Sequence, residues 1–319
     1  MASFLVVVGL ASCNPNTTQG SSSSQSPVRT EIRFEVLAGS PNCRLPMATA
    51  VKGDGGFLDF GSASFETDPR SVGSWDRAIR VWVPAQQQAI SPSGDAYAYV
   101  QNRGIVESVV VQTLKPVHSY EVFSGGGLSI IGFTREGVYV WQLGVDTNRL
   151  WLAGPHRSSP MLVDAESKNE VYWLRVGEGV VWGRRINADP TGVETLVALN
   201  LATGEKTDWF GAQAATLNVL GLARDGVPVV AAFSNVGVRL IEVEARSAVK
   251  EIASFSSNPG FTSAHSDEYG TWFASGAGVW LFNGFEFTKV AIVQRSGTGT
   301  GTGTLPAPVQ LDVAGSCEG

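Results

Sequence analysis

The 319-residue chain is poor in charge, in histidine and in cysteine, and each shortage removes a class of protein. Charged residues make up only 16% of it, too few to solvate the outer faces of long helices. Nor do apolar residues recur at i, i+3, i+4 and i+7 over a helix-length stretch. Basic residues do not cluster: Arg184-Arg185 is the only adjacent pair, read as a solvated strand end, and the net charge is −6. Nucleic acid, whose phosphates reward a concentrated basic face, is therefore excluded as a partner. Cys13, Cys43 and Cys317 are too far apart for a CxxC pair, which excludes a zinc ribbon. His118, His156 and His265 are equally scattered. With no HExxH, GxSxG, GxxxxGK or EF-hand loop in the sequence, no catalytic residue, metal site or cofactor is assigned.

What is present points to sheet. There are 37 glycines and 9 tryptophans, and 43% of residues are hydrophobic. That balance favours short strands joined by tight turns around a substantial core.

The amino terminus is distinct from the rest. Phe4 to Leu10 is an apolar run far short of the roughly 20 residues that span a bilayer, but it has the length of a signal-peptide core. Leu10-Ala11-Ser12-Cys13 resembles the lipobox of bacterial lipoproteins. The resemblance implies that residues 1–13 are a signal peptide and that Cys13 becomes the lipidated first residue after cleavage. Residues 1–12 hold no Lys or Arg, a departure from the usual basic start. Residues 14–30 are rich in Ser, Thr, Asn and Gln and cannot offset the entropy of ordering, so a flexible tether is expected there. Two or more acyl chains anchor stably. The expected location is the outer face of the cell membrane, with secretion as the alternative.

Residues 31–319 repeat a frame. "AISPSGDAYAYVQ", "IIGFTREGVYVWQ", "VLGLARDGVPVVAA" and "TSAHSDEYGTWFAS" each run from small or apolar residues through a polar turn into a β-branched or aromatic strand. "LVDAESKNEVYWLRV" fits with Asn169 at the glycine position. The turn glycines Gly94, Gly137, Gly226 and Gly270 lie 43, 89 and 44 residues apart, and Asn169 divides the long interval. That period is near the 40 to 50 of propeller blades. Counting the small run before each turn together with the strands after it gives four per unit, and four antiparallel strands make one blade. The expected fold is thus an all-β propeller with units at 44–85, 86–125, 128–158, 161–211, 216–257 and 261–294. Six blades are expected and seven stay open. Trp141, Trp173, Trp272 and Trp280 are expected to fill the wedges between blades. "GEGVVWGRRINADPTG" lengthens one hairpin and is a candidate binding loop. "FSGGGLS" lies between two units with no helix after it, so it is read as a turn.

"SPSGDAYAYV" resembles the repeat of TolB-type and WD40-like bacterial propellers, with Ser93 where those have Asp. The resemblance implies the fold and fixes no function. Asp267, Thr271 and Trp272 match three positions of the sialidase Asp box, but His265 and Tyr269 replace its Ser and Gly. Arg44, in "CRLP", is similar in placement to an arginine of the sialidase amino terminus, and its partners for an arginine triad are not identified.

A ring needs its ends joined, since open sheet edges invite aggregation. Strands in "TEIRFEVLAGSPNC" and "APVQLDVAGSC" are expected to pair near the junction, after a flexible Gly/Thr linker at 296–304. With Cys13 lipidated, Cys43 and Cys317 are left as an even pair for a disulfide. The expected function is a surface-anchored, monomeric binding or scaffold module for an extracellular protein or glycan, and the lack of a catalytic motif weighs against an enzyme. The alternative is an extracellular propeller hydrolase or lyase, for example a sialidase-like glycosidase.

Overall fold

Strands buried on both faces define this molecule. In Gly137–Gln142 five consecutive residues are buried, and in Gly270–Ser275 five of six are, so alternation gives way to continuous apolar runs wherever a strand lies between two layers. The structure, a computed structural model, describes residues 31–154, 159–167, 171–186, 194–212, 216–246, 248–296 and 310–319. The expectations placed on Cys13, the tether at 14–30, His156, Asn169, the loop at 187–193 and the linker at 297–304 lie outside the described residues.

The described chain is all-β apart from one turn of 3-10 helix at Gln87–Ala89. β1 (Glu31–Val36) is followed by β2 (Arg44–Thr49), β3 (Gly56–Asp59) and β4 (Ser64–Thr67). A short hairpin, β5 (Ser74–Asp76) and β6 (Val81–Val83), precedes β7 (Ala96–Arg103), β8 (Val106–Leu114) and β9 (Val117–Gly125). Next come β10 (Leu128–Thr134), β11 (Gly137–Gln142), β12 (Thr147–Ala153) and β13 (Met161–Ser167), then β14 (Val171–Gly177), β15 (Val180–Ile186), β16 (Glu194–Asn200) and β17 (Lys206–Ala212). β18 (Thr216–Leu222), β19 (Pro228–Ser234), β20 (Gly237–Ala245) and β21 (Ala248–Phe255) follow. β22 (Ala264–Asp267), β23 (Gly270–Ser275), β24 (Gly278–Phe282), β25 (Phe287–Ser296) and β26 (Leu311–Val313) end the chain.

The sheets form in that order, each antiparallel: β26-β2-β3-β4 first, then the β5-β6 hairpin, β7-β8-β9, β10 to β13, β14 to β17, β18 to β21, and last β22 to β25 with β1 at its outer edge. Apolar cores lie between successive sheets. Ile131, Tyr139 and Trp141 pack with Trp173 and Val181 between the third and fourth, and Trp182 and Leu196 with Val219 and Val230 between the fourth and fifth. Leu220 and Leu240 pack with Phe273 and Trp280 between the fifth and last. The last sheet in turn packs on the first, Trp272 and Val279 meeting Leu45, Met47 and Leu58. Sheets stacked face to face in sequence, with the last against the first, are the arrangement of a β-propeller.

Three expectations need correction. The two terminal strands do not pair with each other. β1 joins the outer edge of the last sheet, Glu31 opposite Ser296, and β26 joins the inner edge of the first, Val313 opposite Met47. Each therefore covers an edge at the seam that the other cannot reach. Residues 162–176 are not a hairpin: β13 is the outer strand of the third sheet and β14 the leading strand of the fourth, and the fourth sheet's own first hairpin turns at Glu178-Gly179. Strand number also varies. Residues 74–83 leave the first sheet as a separate hairpin, and the second sheet has three strands, with Ile90 bridging Tyr97 where a fourth would run.

Candidate functional site

The seam between the first and second sheets is filled by β5 and β6. Trp75 and Trp82 stand directly opposite each other on that hairpin, a cross-strand aromatic pair of the kind that stabilises two short strands. Phe57 of β3 meets both, edge-on to Trp75 at 4.9 Å and tilted against Trp82 at 5.6 Å. Along this cluster runs a groove of about 760 Å³. Its floor is Phe57 and Trp75, and Arg44, Glu66, Asp68 and Arg70 form its rim.

The rim is organised by charge. Arg44 lies over the Phe57 ring at 4.8 Å and donates from Nη2 to Glu66 Oε2 at 2.7 Å. Arg70 donates from its backbone N–H, Nε and Nη2 to Asp68 at 2.9, 3.0 and 3.0 Å, and Trp82 Nε1 donates to the same carboxylate at 3.2 Å. Hydrogen bonds from Arg70, ahead of the burial that opposes them, hold Asp68 below the usual carboxylate range. Trp75 Nε1 donates to Glu318 Oε1 at 2.8 Å. Three carboxylates at the groove are therefore each held by a charged or indole donor.

A second groove, about 680 Å³, lies where the turn "SPSGD" meets the β8-β9 and β10-β11 turns. Ser91 and Ser93 both donate to Asp95 Oδ1, at 2.8 and 2.6 Å, while Ser91 Oγ accepts from the Ala96 N–H at 3.1 Å. Those hydroxyls, Ser93 first, hold the Asp95 carboxyl low, and burial pushes Tyr120 up. The His118 ring stacks on Tyr120 at 5.9 Å, and among the described residues it makes no hydrogen bond to either serine. The cluster is thus a clamped turn.

The Asp-box-like residues build the seam between the last and first sheets. Asp267 Oδ2 accepts from Trp272 Nε1 and from the Cys317 N–H, both at 2.8 Å, and Oδ1 accepts from the Tyr269 N–H at 2.8 Å. Thr271 Oγ1 lies 2.9 Å from Ser266 Oγ. His265 Nε2 lies 3.0 Å from Ser316 Oγ, and burial lowers its pKa against the pull of Asp267. Cys43 and Cys317 are joined in a disulfide beside this network.

The other basic residues singled out from the sequence lie apart from these sites. Arg184 and Arg185 are not a solvated strand end: Arg184 lies 3.6 Å from Glu194 and donates to the Leu217 carbonyl, and Arg185 pairs with Asp208. His118 and His265 lie on β9 and β22 and are not brought together. Arg175 on β14 is pulled down to about 10 by burial and still carries its charge at neutral pH. The Trp75 and Trp82 hairpin was not singled out by sequence reasoning. The signal for it was "SWDRAIRVWV", two tryptophans on either side of a short, charged turn.

No protein-family model matches the chain, and no curated protein matches it by sequence. Among solved structures it is similar to TolB from Acinetobacter baumannii, at 11% identity and a TM-score of 0.48 over 86% of this chain and 66% of that one. Prolyl oligopeptidase B from Galerina marginata matches at 12% identity and 0.48, over 67% of this chain and 34% of that one. A Lactobacillus plantarum protein matches at 10% and 0.45, over 89% and 99%. The chain thus spans about a third of the oligopeptidase and about two thirds of TolB. At such identities and scores none of these likenesses bears on what the chain does.

Proposed function

We propose that the chain is an exported, lipid-anchored propeller of six blades that binds an extracellular protein or glycan without transforming it. Six is supported by the way β5 and β6 associate with the first sheet: the Trp75 N–H donates to the Ala314 carbonyl at 2.7 Å. On this reading the hairpin is a filler inside the ring, and Ile90 stands in for the missing strand of the second blade. Anchorage rests on the Leu-Ala-Ser-Cys13 resemblance, and the Cys43–Cys317 disulfide fits an oxidising compartment.

The observation that carries the binding reading is the groove on Phe57 and Trp75. Its floor is aromatic and its carboxylates already accept short, charge-assisted bonds. Asp68, held ionised by Arg70, has neither the proton of a general acid nor the basicity of a general base at neutral pH. A fixed aromatic and polar surface suits recognition.

The test is to expose the full chain to extracellular glycans and proteins and follow binding and product formation together. Retention of an unaltered ligand, weakened about tenfold or more by Arg44→Ala, is expected for a rim contact. Release of a product, abolished by Asp68→Asn, would overturn the reading in favour of a hydrolase or lyase.

A further inference from the structure

Turn tips are normally the polar part of a β-protein, yet one end of this ring presents aliphatic tips on several blades. The hairpin between the second and third strands of a sheet turns at residues 50–55, 104–105, 143–146, 235–236 and 276–277. Val51, Ile105, Val145 and Val236 stand on four of them, exposed by 59, 97, 80 and 80%. Scattered surface aliphatics are ordinary; four hairpins of one end sharing them is a pattern. The tips are also pinned outward. Thr49 Oγ1 accepts from the Val51 N–H, Ser234 Oγ from the Val236 N–H, and Asn148 Oδ1 from the Gly144 N–H.

The chain enters the fold at this same end. Gly278, just past the 276–277 turn, lies opposite Ile292, and β25 runs on from there to Ser296, which faces Glu31. β1 therefore begins at the end that bears the aliphatic tips, and the thirty residues before it, Cys13 among them, join the fold at that end.

We propose that this end of the propeller docks on a lipid bilayer, with Val51, Ile105, Val145 and Val236 entering the interface. The proposal rests on the lipid-anchored reading and adds an orientation to it. The acyl chains hold the protein near the membrane, the apolar tips turn one face down, and the groove at Ser91, Asp95 and Arg135 opens away from the lipid. Amphipathic contacts of this kind bind a bilayer reversibly on their own and add to a lipid anchor.

The test uses the full chain carrying Cys13→Ser, which has no acylation site, mixed with vesicles of phosphatidylglycerol and phosphatidylethanolamine. Cosedimentation is expected, and adding Ile105→Ser, Val145→Ser and Val236→Ser together lowers it ~tenfold or more. Val117→Ser with Phe285→Ser, on turns of the opposite end, leaves it unchanged. Thermal unfolding matched to the parent shows that each variant is folded. No cosedimentation of the parent, or equal losses from both sets, overturns the proposal. Intact mass of the native chain reads Cys13 acylation separately: an unmodified Cys13 defeats the anchor reading, whatever the vesicles show.

Discussion

The two seams of the first sheet are built in opposite ways. Toward the last sheet it shares a dry core of Leu45, Met47, Trp272 and Val279, and a disulfide and a triply bonded aspartate lie beside that core. The chain's two ends also cover the open edges there, β1 on one side and β26 on the other. Toward the second sheet it meets an inserted hairpin, with Trp75 and Trp82 as filler and an open groove alongside. One seam is over-determined and the other is open enough to hold a ligand. Closing the ring firmly at one place leaves the other seam free to hold an open groove.

The largest way to break this comparison is to cut the disulfide. Its partners are 274 residues apart, so in the chain-entropy model it stabilises the fold by up to about 5 kcal/mol, less any native strain. Cys43→Ser with Cys317→Ser is expected to lower the denaturant midpoint sharply. A midpoint unchanged from wild type would show that the shared core alone closes the ring.

Asp267 is next. Its carboxylate joins the first hairpin of the last sheet, through Tyr269 and Trp272, to the C-terminal segment after β26, through Cys317. Asp267→Ala leaves buried donors unpaired and is expected to cost roughly 3 kcal/mol or more. Because it bonds the backbone of Cys317, one partner of the disulfide, the two losses should fall short of additive in a double-mutant cycle. Full additivity would mean that the two act on separate parts of the seam.

How much of this was legible in the sequence follows from the same contrast. The repeated frame was readable because its glycines are required locally. Gly94 has φ 70° and Gly226 φ 80°, the left-handed region that only glycine enters at no cost. Gly137 and Gly270 are needed for another reason: a Cβ there would lie 2.4 Å from the Ala153 carbonyl oxygen or 2.2 Å from that of Phe282. Residues 162–176 were misframed because an outer strand followed by a leading strand has the same local pattern as a hairpin, and only pairing across the sheet separates them. The groove was illegible for a related reason. It joins Arg44 and Phe57 to Asp68, Trp75 and Glu318, and no local motif links those positions.

The smallest expected effect sharpens the picture of the open seam. Asp76, on β5, is buried, and its Oδ2 has no hydrogen-bond partner, while Oδ1 accepts from the Ala78 N–H at 2.9 Å. Burial pushes its carboxyl above the usual range, and the nearby Asp95 charge adds to that. A carboxyl whose pKa is raised by folding binds its proton more tightly in the native state. It therefore favours the fold at pH below its unfolded value, and that contribution is lost as pH rises through the folded pKa. Asp68 and Asp95, whose pKa values folding lowers, contribute the other way: their stabilisation is present above the usual carboxylate range and is lost on acidification. Asp76→Asn keeps the Oδ1 acceptor and removes the titration. Urea unfolding followed from acid to neutral pH should show the variant losing less stability than wild type as pH rises above the ordinary carboxylate range. Parallel profiles would mean that Asp76 stays ionised in the folded protein, and another group of the seam would then be stabilising its charge against burial.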